Sequence, residues 1–274
     1  MKMPAADAPI GVFDSGVGGL SVLRAIRAEL PNEDLLYVAD SGYAPYGDRD
    51  AGFIEDRSAA IAGFLIDEGA KAIVVACNTA TVVAIEKLRA WCPLPVVAIE
   101  PAIKPAAGIT QSGVIGVLAT RQTLASANVA RLCAAYGQDV NILLQPCPGL
   151  VEQVEKAELD SPASRALLET YLAPLLAAGA DTIVLGCTHY PFLLPLVREI
   201  IGPERVIIDP ATAVAKELAR RLGNQRASAL RPEPARTRFL SSAAGSNASS
   251  VVSALWGSPV LVEPIQARPI AAIG

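Results

Sequence analysis

Aromatic residues make up only 5% of this 274-residue chain, so aliphatic side chains must fill its interior. Hydrophobic residues still reach 52%, a balance typical of parallel sheets covered on both faces by helices. Histidine occurs once, as His189, and the five cysteines at 77, 92, 133, 147 and 187 form no CxxC pair. A zinc site lacks support for that reason, and an odd set of cysteines argues against a disulfide framework and for a reducing compartment. The net charge of −4, with Lys and Arg scattered singly, leaves no basic face to displace counterions from phosphates, so nucleic acid is not an expected partner. No long apolar run opens the chain. Met1 to Pro9 has one Lys and no apolar core, so neither a secretory signal nor a membrane anchor is expected and the expected location is cytoplasmic.

What is present is alternation. Strand-sized runs, IGVFDS, LLYVAD, AIVVAC and PVVAIE, then VIGVLAT, VNILLQ, TIVLGC and RVIIDP, are separated by helical stretches such as Leu20 to Leu30, Phe53 to Glu68, Thr79 to Trp91, Thr123 to Tyr136 and Pro162 to Ala178. The pattern predicts an α/β protein made of two sets of βαβ units with mainly parallel sheets. Gly69 to Thr79 (GAKAIVVACNT) aligns without gaps on Gly179 to His189 (GADTIVLGCTH), and Ile10 to Ser15 aligns on Ile115 to Thr120. A duplicated α/β domain is therefore expected, its halves related by a pseudo-two-fold axis that brings Cys77 and Cys187 to opposite walls of one cleft. Residues 1–100 with 212–274 would form the first domain and 101–211 the second. Gly223 to Arg236 reads as the linker for the return, Thr237 to Ser242 and Val251 to Trp256 as a last strand and helix, and the chain beyond Pro264 as a loose tail.

Cys77 ends an apolar strand and precedes Asn78 and Thr79, which open a helix. Ligands of open α/β sheets bind at such strand ends, and helix N-terminal amides attract carboxylates and lower a thiol pKa from about 8.5. The competing reading is a buried structural cysteine. Cys187 ends the equivalent strand with His189 two residues on, where an imidazole can exchange a proton with the thiol. The alternative for His189 is a capping or core residue. In Phe13 to Leu20 (FDSGVGGL), Ser21 stands where a dinucleotide fingerprint needs glycine and no Walker lysine follows, so NAD, FAD and ATP are weak readings. Asp14 and Ser15, at a strand end, suit orienting a thiol and binding a carboxylate, with helix capping as the alternative for Asp14.

Five segments, GVFDSGVGGLSV, DSGYAPYGD, ACNTAT, CPGLVEQVE and GCTHYP, together resemble the glutamate racemases of the aspartate/glutamate racemase superfamily, in order and over most of the chain. The resemblance implies interconversion of L- and D-glutamate with neither pyridoxal phosphate nor metal, supplying D-glutamate for peptidoglycan. It implies Cys77 as the base for D-glutamate, assisted by Asp14, and Cys187 as the base for L-glutamate, assisted by His189. Glu155 is the third auxiliary acid of that pattern, with Glu152 close enough to compete for the part. Substrate recognition falls by the same resemblance to Asp14, Ser15, Tyr46, Gly47, Asn78, Thr79, Thr120, Thr188 and His189. Aspartate racemases carry Glu where this chain has His189, and Leu150 replaces a frequent Phe. The short N-terminus lacks the extension of relatives activated by a cell-wall precursor, so that regulation is not expected. The implied partner is the small-molecule substrate, and a homodimer is left open. Rival readings are a racemase for aspartate or hydantoins, an amino-acid-binding protein, and a redox protein using a Cys77–Cys187 disulfide.

Overall fold

The computed structural model describes residues 5–228, 233–243, 245 and 247–265. Within them the chain forms two α/β domains, each built on a parallel sheet. The strands are β1 (Ile10–Asp14), β2 (Leu35–Ala39), β3 (Ala72–Val75), β4 (Val96–Ala98), β5 (Val114–Ala119), β6 (Asn141–Pro146), β7 (Thr182–Leu185), β8 (Val206–Ile208), β9 (Thr237–Ser241) and β10 (Val262–Pro264). The first sheet has the order β10-β9-β2-β1-β3-β4 and the second β6-β5-β7-β8. Each of the eight runs read as strands is a strand.

The order 2-1-3-4 in the first sheet recurs as 6-5-7-8 in the second, and the repeat extends to register. Ile10 pairs with Ala72, and Ile115 pairs with Thr182. Those are the residues that align in the two internal matches, so corresponding side chains hold corresponding places. β1, β2 and β3 are buried along their whole length, as strands with helices on both faces must be. Each fully buried Val, Leu or Ile contributes roughly 1.5–3 kcal/mol, and one apolar cluster runs from Ile10 and Val12 through Leu20 and Leu193 to Ile183.

The sequence predicts one helix over Thr123 to Tyr136, but there are two, Arg121–Leu124 and Ala127–Tyr136. Ser126 divides them. Its backbone is extended, and its hydroxyl accepts the Val129 amide at 3.2 Å, an N-cap that starts a new helix instead of continuing the old one. The helix Ala211–Leu222 lies against Leu20–Glu29. The chain returns as β9 beside β2, followed by the expected helix, here Ala248–Trp256. β10 beside β9 was not foreseen, because three residues ending in proline leave no period to read. Residues 229–232 of the expected linker and the tail beyond Ile265 lie outside the described residues. No helix among the described residues is long and apolar enough to cross a membrane.

Candidate active site

Cys77 and Cys187 follow the carboxyl ends of β3 and β7, the equivalent strands of the repeat. The sequence after each strand then sets different surroundings. Asn78–Trp91 is a helix for which Cys77 is the N-cap, its sulfur accepting the Ala80 amide at 3.4 Å. Cys187 leads instead through a turn into the short 3₁₀ segment Tyr190–Leu193, and its sulfur lies 3.7 Å from Nδ1 of His189. Both thiols are buried, 4% and 6% exposed, and both line one small cavity between the domains. Its wall includes every residue assigned by resemblance to substrate recognition except Asp14, which stands behind Ser15.

On the Cys77 side, the thiol donates to Ser15 Oγ at 3.4 Å, and Ser15 Oγ donates to Asp14 Oδ1 at 3.3 Å. Asp14 is fully buried. Its Oδ1 also accepts the Ser15 amide at 2.8 Å, while Oδ2 accepts the Gly19 amide at 2.5 Å and the Thr188 hydroxyl at 3.1 Å. Asp14 therefore holds the turn before the helix Leu20–Glu29 through the Ser15 and Gly19 amides, without acting as that helix's N-cap, and faces Ser15 and Thr188. Burial raises the Asp14 pKa, with the His189 charge opposing. Burial, followed by the Asp14 charge, drives the Cys77 thiol well above its usual range. Here the expected lowering by helix amides is reversed: the Ala80 amide acts in the expected direction but is outweighed.

On the Cys187 side, His189 Nε2 lies 2.7 Å from Glu155 Oε1. That oxygen also accepts the Val17 amide at 2.7 Å, and Oε2 accepts the Ser41 hydroxyl at 3.1 Å. Burial alone would lower the His189 pKa, but its hydrogen bonds to Cys187 and Glu155 prevail and hold it well above the ordinary histidine value. Glu152 has no part in this chain of contacts; it lines an adjoining cavity with Asp48, Arg121 and Cys147.

The glycine-rich loop acquires its explanation here. A Cβ on Gly18 would fall 2.3 Å from His189 Nδ1, and one on Gly16 would fall 1.9 Å from Glu155 Oε1. The loop is glycine so that the histidine and its acid can lie against bare backbone, not so that phosphate can bind. Tyr46 reaches the cavity, but its hydroxyl donates to Asp40 at 2.5 Å, so the phenol is not a free donor. Asp40 in turn accepts both Nε and a terminal nitrogen of Arg57, at 2.9 and 2.7 Å. Asn78 is 2% exposed, and both polar atoms of its side chain have no hydrogen-bond partner. A buried amide left open in this way is costly unless a ligand completes it. Sequence reading missed Ser41, Asp40 and Arg57, whose contacts give no local signal beyond the DSGYAPYGD segment that holds the loop between Asp40 and Asp48.

Residues 10–218 match the Asp/Glu/Hydantoin racemase family. The chain is 52% identical over 258 residues to a glutamate racemase of Pseudomonas aeruginosa, covering 94% of this chain and 97% of that one. It superposes with a TM-score of 0.84, at 31% identity, on the Escherichia coli glutamate racemase solved with L-glutamate and the activator UDP-MurNAc-Ala, covering 96% of this chain and 100% of the other. A glutamate racemase from Bacillus anthracis likewise gives a TM-score of 0.84 at 30% identity, over 94% and 97% of the two chains. The chain thus belongs to the Asp/Glu/Hydantoin racemase family, and within it to the glutamate racemases.

Proposed function

We propose that this amino-acid racemase inverts glutamate by moving the α-proton between two thiols, Cys77 serving D-glutamate and Cys187 serving L-glutamate. The observation that carries the reading is that two cysteines from equivalent strand ends line one cavity. Inversion needs removal on one face and delivery on the other, and two monoprotic groups on opposite walls meet that need. The unpartnered Asn78 amide and the hydroxyls of Ser15, Thr79, Thr120 and Thr188 supply neutral donors for substrate carboxylates. In a buried site such donors stabilise the carbanion more strongly than they would in water.

The two sides are charged differently at rest. His189, favoured as imidazolium, is placed to hold the proton of Cys187. Burial and the Asp14 charge keep the Cys77 thiol protonated, with Ser15 as its route to Asp14. That form is ready to accept the proton of L-glutamate at Cys187 and deliver one from Cys77; the reverse reaction uses the opposite distribution. We assign residues 1–100 with 212–274 to the first domain and 101–211 to the second, place the reaction in the cytoplasm, and assign the D-glutamate product to peptidoglycan supply.

The decisive experiment is incubation of the protein with L-glutamate in D2O without added cofactor, following the α-proton signal by NMR. Loss of that signal together with appearance of D-glutamate is expected. Persistence of the signal refutes the reading, and equal rates on aspartate would move the substrate assignment elsewhere in the family.

A further inference from the structure

Thr79 and Thr120 reach the cavity from different domains, and a third hydroxyl joins them from behind. Thr123 is 0% exposed and does not line the cavity. Its Oγ1 accepts from Thr120 Oγ1 at 2.9 Å and lies 3.3 Å from Thr79 Oγ1, while Thr79 and Thr120 are 3.0 Å apart. The three oxygens form a closed triangle. The Thr123 amide also donates to Thr120 Oγ1 at 3.2 Å, capping the short helix Arg121–Leu124.

Each threonine hydroxyl carries one proton and two lone pairs. In the empty triangle all three protons are used internally: Thr120 donates to Thr123, leaving Thr123 to donate to Thr79 and Thr79 to Thr120. A carboxylate in the cavity must draw its hydrogen bonds from Thr79 and Thr120, the two that reach it, and this opens the ring. One proton then stays behind, on Thr123, and its acceptors are the oxygens of the two hydroxyls that have turned outward. Donation into a hydroxyl oxygen polarises that hydroxyl and strengthens its own bond to a carboxylate.

From this geometry we infer that Thr123 is a positioning residue for substrate binding, supplying the hydrogen bond that supports Thr79 and Thr120 as they engage one carboxylate of glutamate. The inference rests on the racemase reading above. It concerns affinity and not proton transfer, because Thr123 lies behind the cavity wall and has no contact with either thiol among its hydrogen bonds.

The test compares wild-type protein with Thr123→Val, Thr123→Ala and Thr123→Ser, with KM and kcat measured from both enantiomers. Val keeps the shape and the capping amide but removes the hydroxyl; Ala serves if Val does not fold, and Ser restores the hydroxyl. Loss of one supporting hydrogen bond is expected to raise KM about fivefold in the Val or Ala variant, with kcat within about twofold of wild type and Ser near wild type on both. An unchanged KM, a loss confined to kcat, or a Ser variant as impaired as Val overturns the inference while wild-type racemisation stands. Failure of the wild-type protein to exchange the α-proton of glutamate overturns the racemase reading and this inference with it.

Discussion

Glu155 holds His189 through Oε1 at 2.7 Å, and with the same oxygen accepts the amide of Val17 from the glycine loop of the first domain. One carboxylate therefore joins the two domains and aims the imidazole at Cys187. Asp14 reciprocates from the first domain, accepting the hydroxyl of Thr188 beside Cys187. The contacts that join the two domains are thereby also the contacts that hold the acid–base groups in place.

Replacing Glu155 with Gln keeps the shape but removes the charge that stabilises imidazolium. Catalytic efficiency is expected to fall about 10²-fold, the lower end for loss of a positioned acid–base partner. Because L- and D-glutamate have equal free energies in water, kcat/KM must fall by the same factor in both directions; any asymmetry in kcat is matched by an equal asymmetry in KM. The contact with Glu155 raises the His189 pKa, so its removal lowers it and the imidazolium is lost at lower pH. The alkaline limb of the rate profile from L-glutamate should move down in pH, measured by circular dichroism between about pH 6 and 10. An unmoved limb would detach Glu155 from the titration of His189.

Gly18→Ala tests the explanation of the glycine loop. The added Cβ would stand 2.3 Å from Nδ1 of His189, a distance no packed pair tolerates, and the ring must shift from Cys187. A displacement of about 1 Å in a catalytic group costs roughly 10² in rate. The expected result is that loss in kcat with the far-UV circular dichroism spectrum retained. If the loop served phosphate instead, turnover of glutamate would be insensitive to this methyl group.

Much of this arrangement is written locally and the rest is not. The strands, the repeat and the strand-end positions of Cys77 and Cys187 follow from patterns a few residues long, which is why they are legible. The choice between Glu152 and Glu155 is not, since both lie on the helix Leu150–Glu155 and only the packing of that helix against the segment after Cys187, 34 positions on, decides which meets His189. Ser41 and Thr123 escape notice for a similar reason: the partner of Ser41 is 114 positions away, and the Thr79 hydroxyl that completes the Thr123 cluster is 44 away. The direction of the Cys77 pKa was misread because the capping amide is local, whereas burial and the Asp14 charge are products of the whole fold.

Single cysteine variants separate exchange from inversion. In Cys77→Ala, Cys187 still faces L-glutamate, so deuterium should enter L-glutamate in D2O without inversion, while D-glutamate stays protonated. Cys187→Ala should show the opposite preference. Racemisation is expected to fall at least about 10³-fold in each, within the range for a missing acid–base group. NMR combined with chiral chromatography reads both quantities. Equal exchange into the two enantiomers by either variant would dissolve the stereochemical assignment.

Away from the site, Lys71 and Glu33 form an ion pair at 2.5 Å with side chains only 1% and 2% exposed. Lys71 Nζ also donates to the carbonyls of Ala6 and Gln225, and Glu33 Oε1 accepts the Ala227 amide at 2.8 Å. The pair thus ties the start of the chain and the return segment to the amino edge of the first sheet, where Lys71 precedes β3. Lys71→Met leaves Glu33 charged and buried without its partner, a change that costs about 3–5 kcal/mol. Lys71→Met with Glu33→Leu removes both charges, and much of that loss should be recovered because the expense lies in the unpaired ion. Urea unfolding of the two variants measures the difference. A double variant no more stable than Lys71→Met would mean that the hydrogen bonds to the three carbonyl and amide partners, and not the charges, hold this corner together.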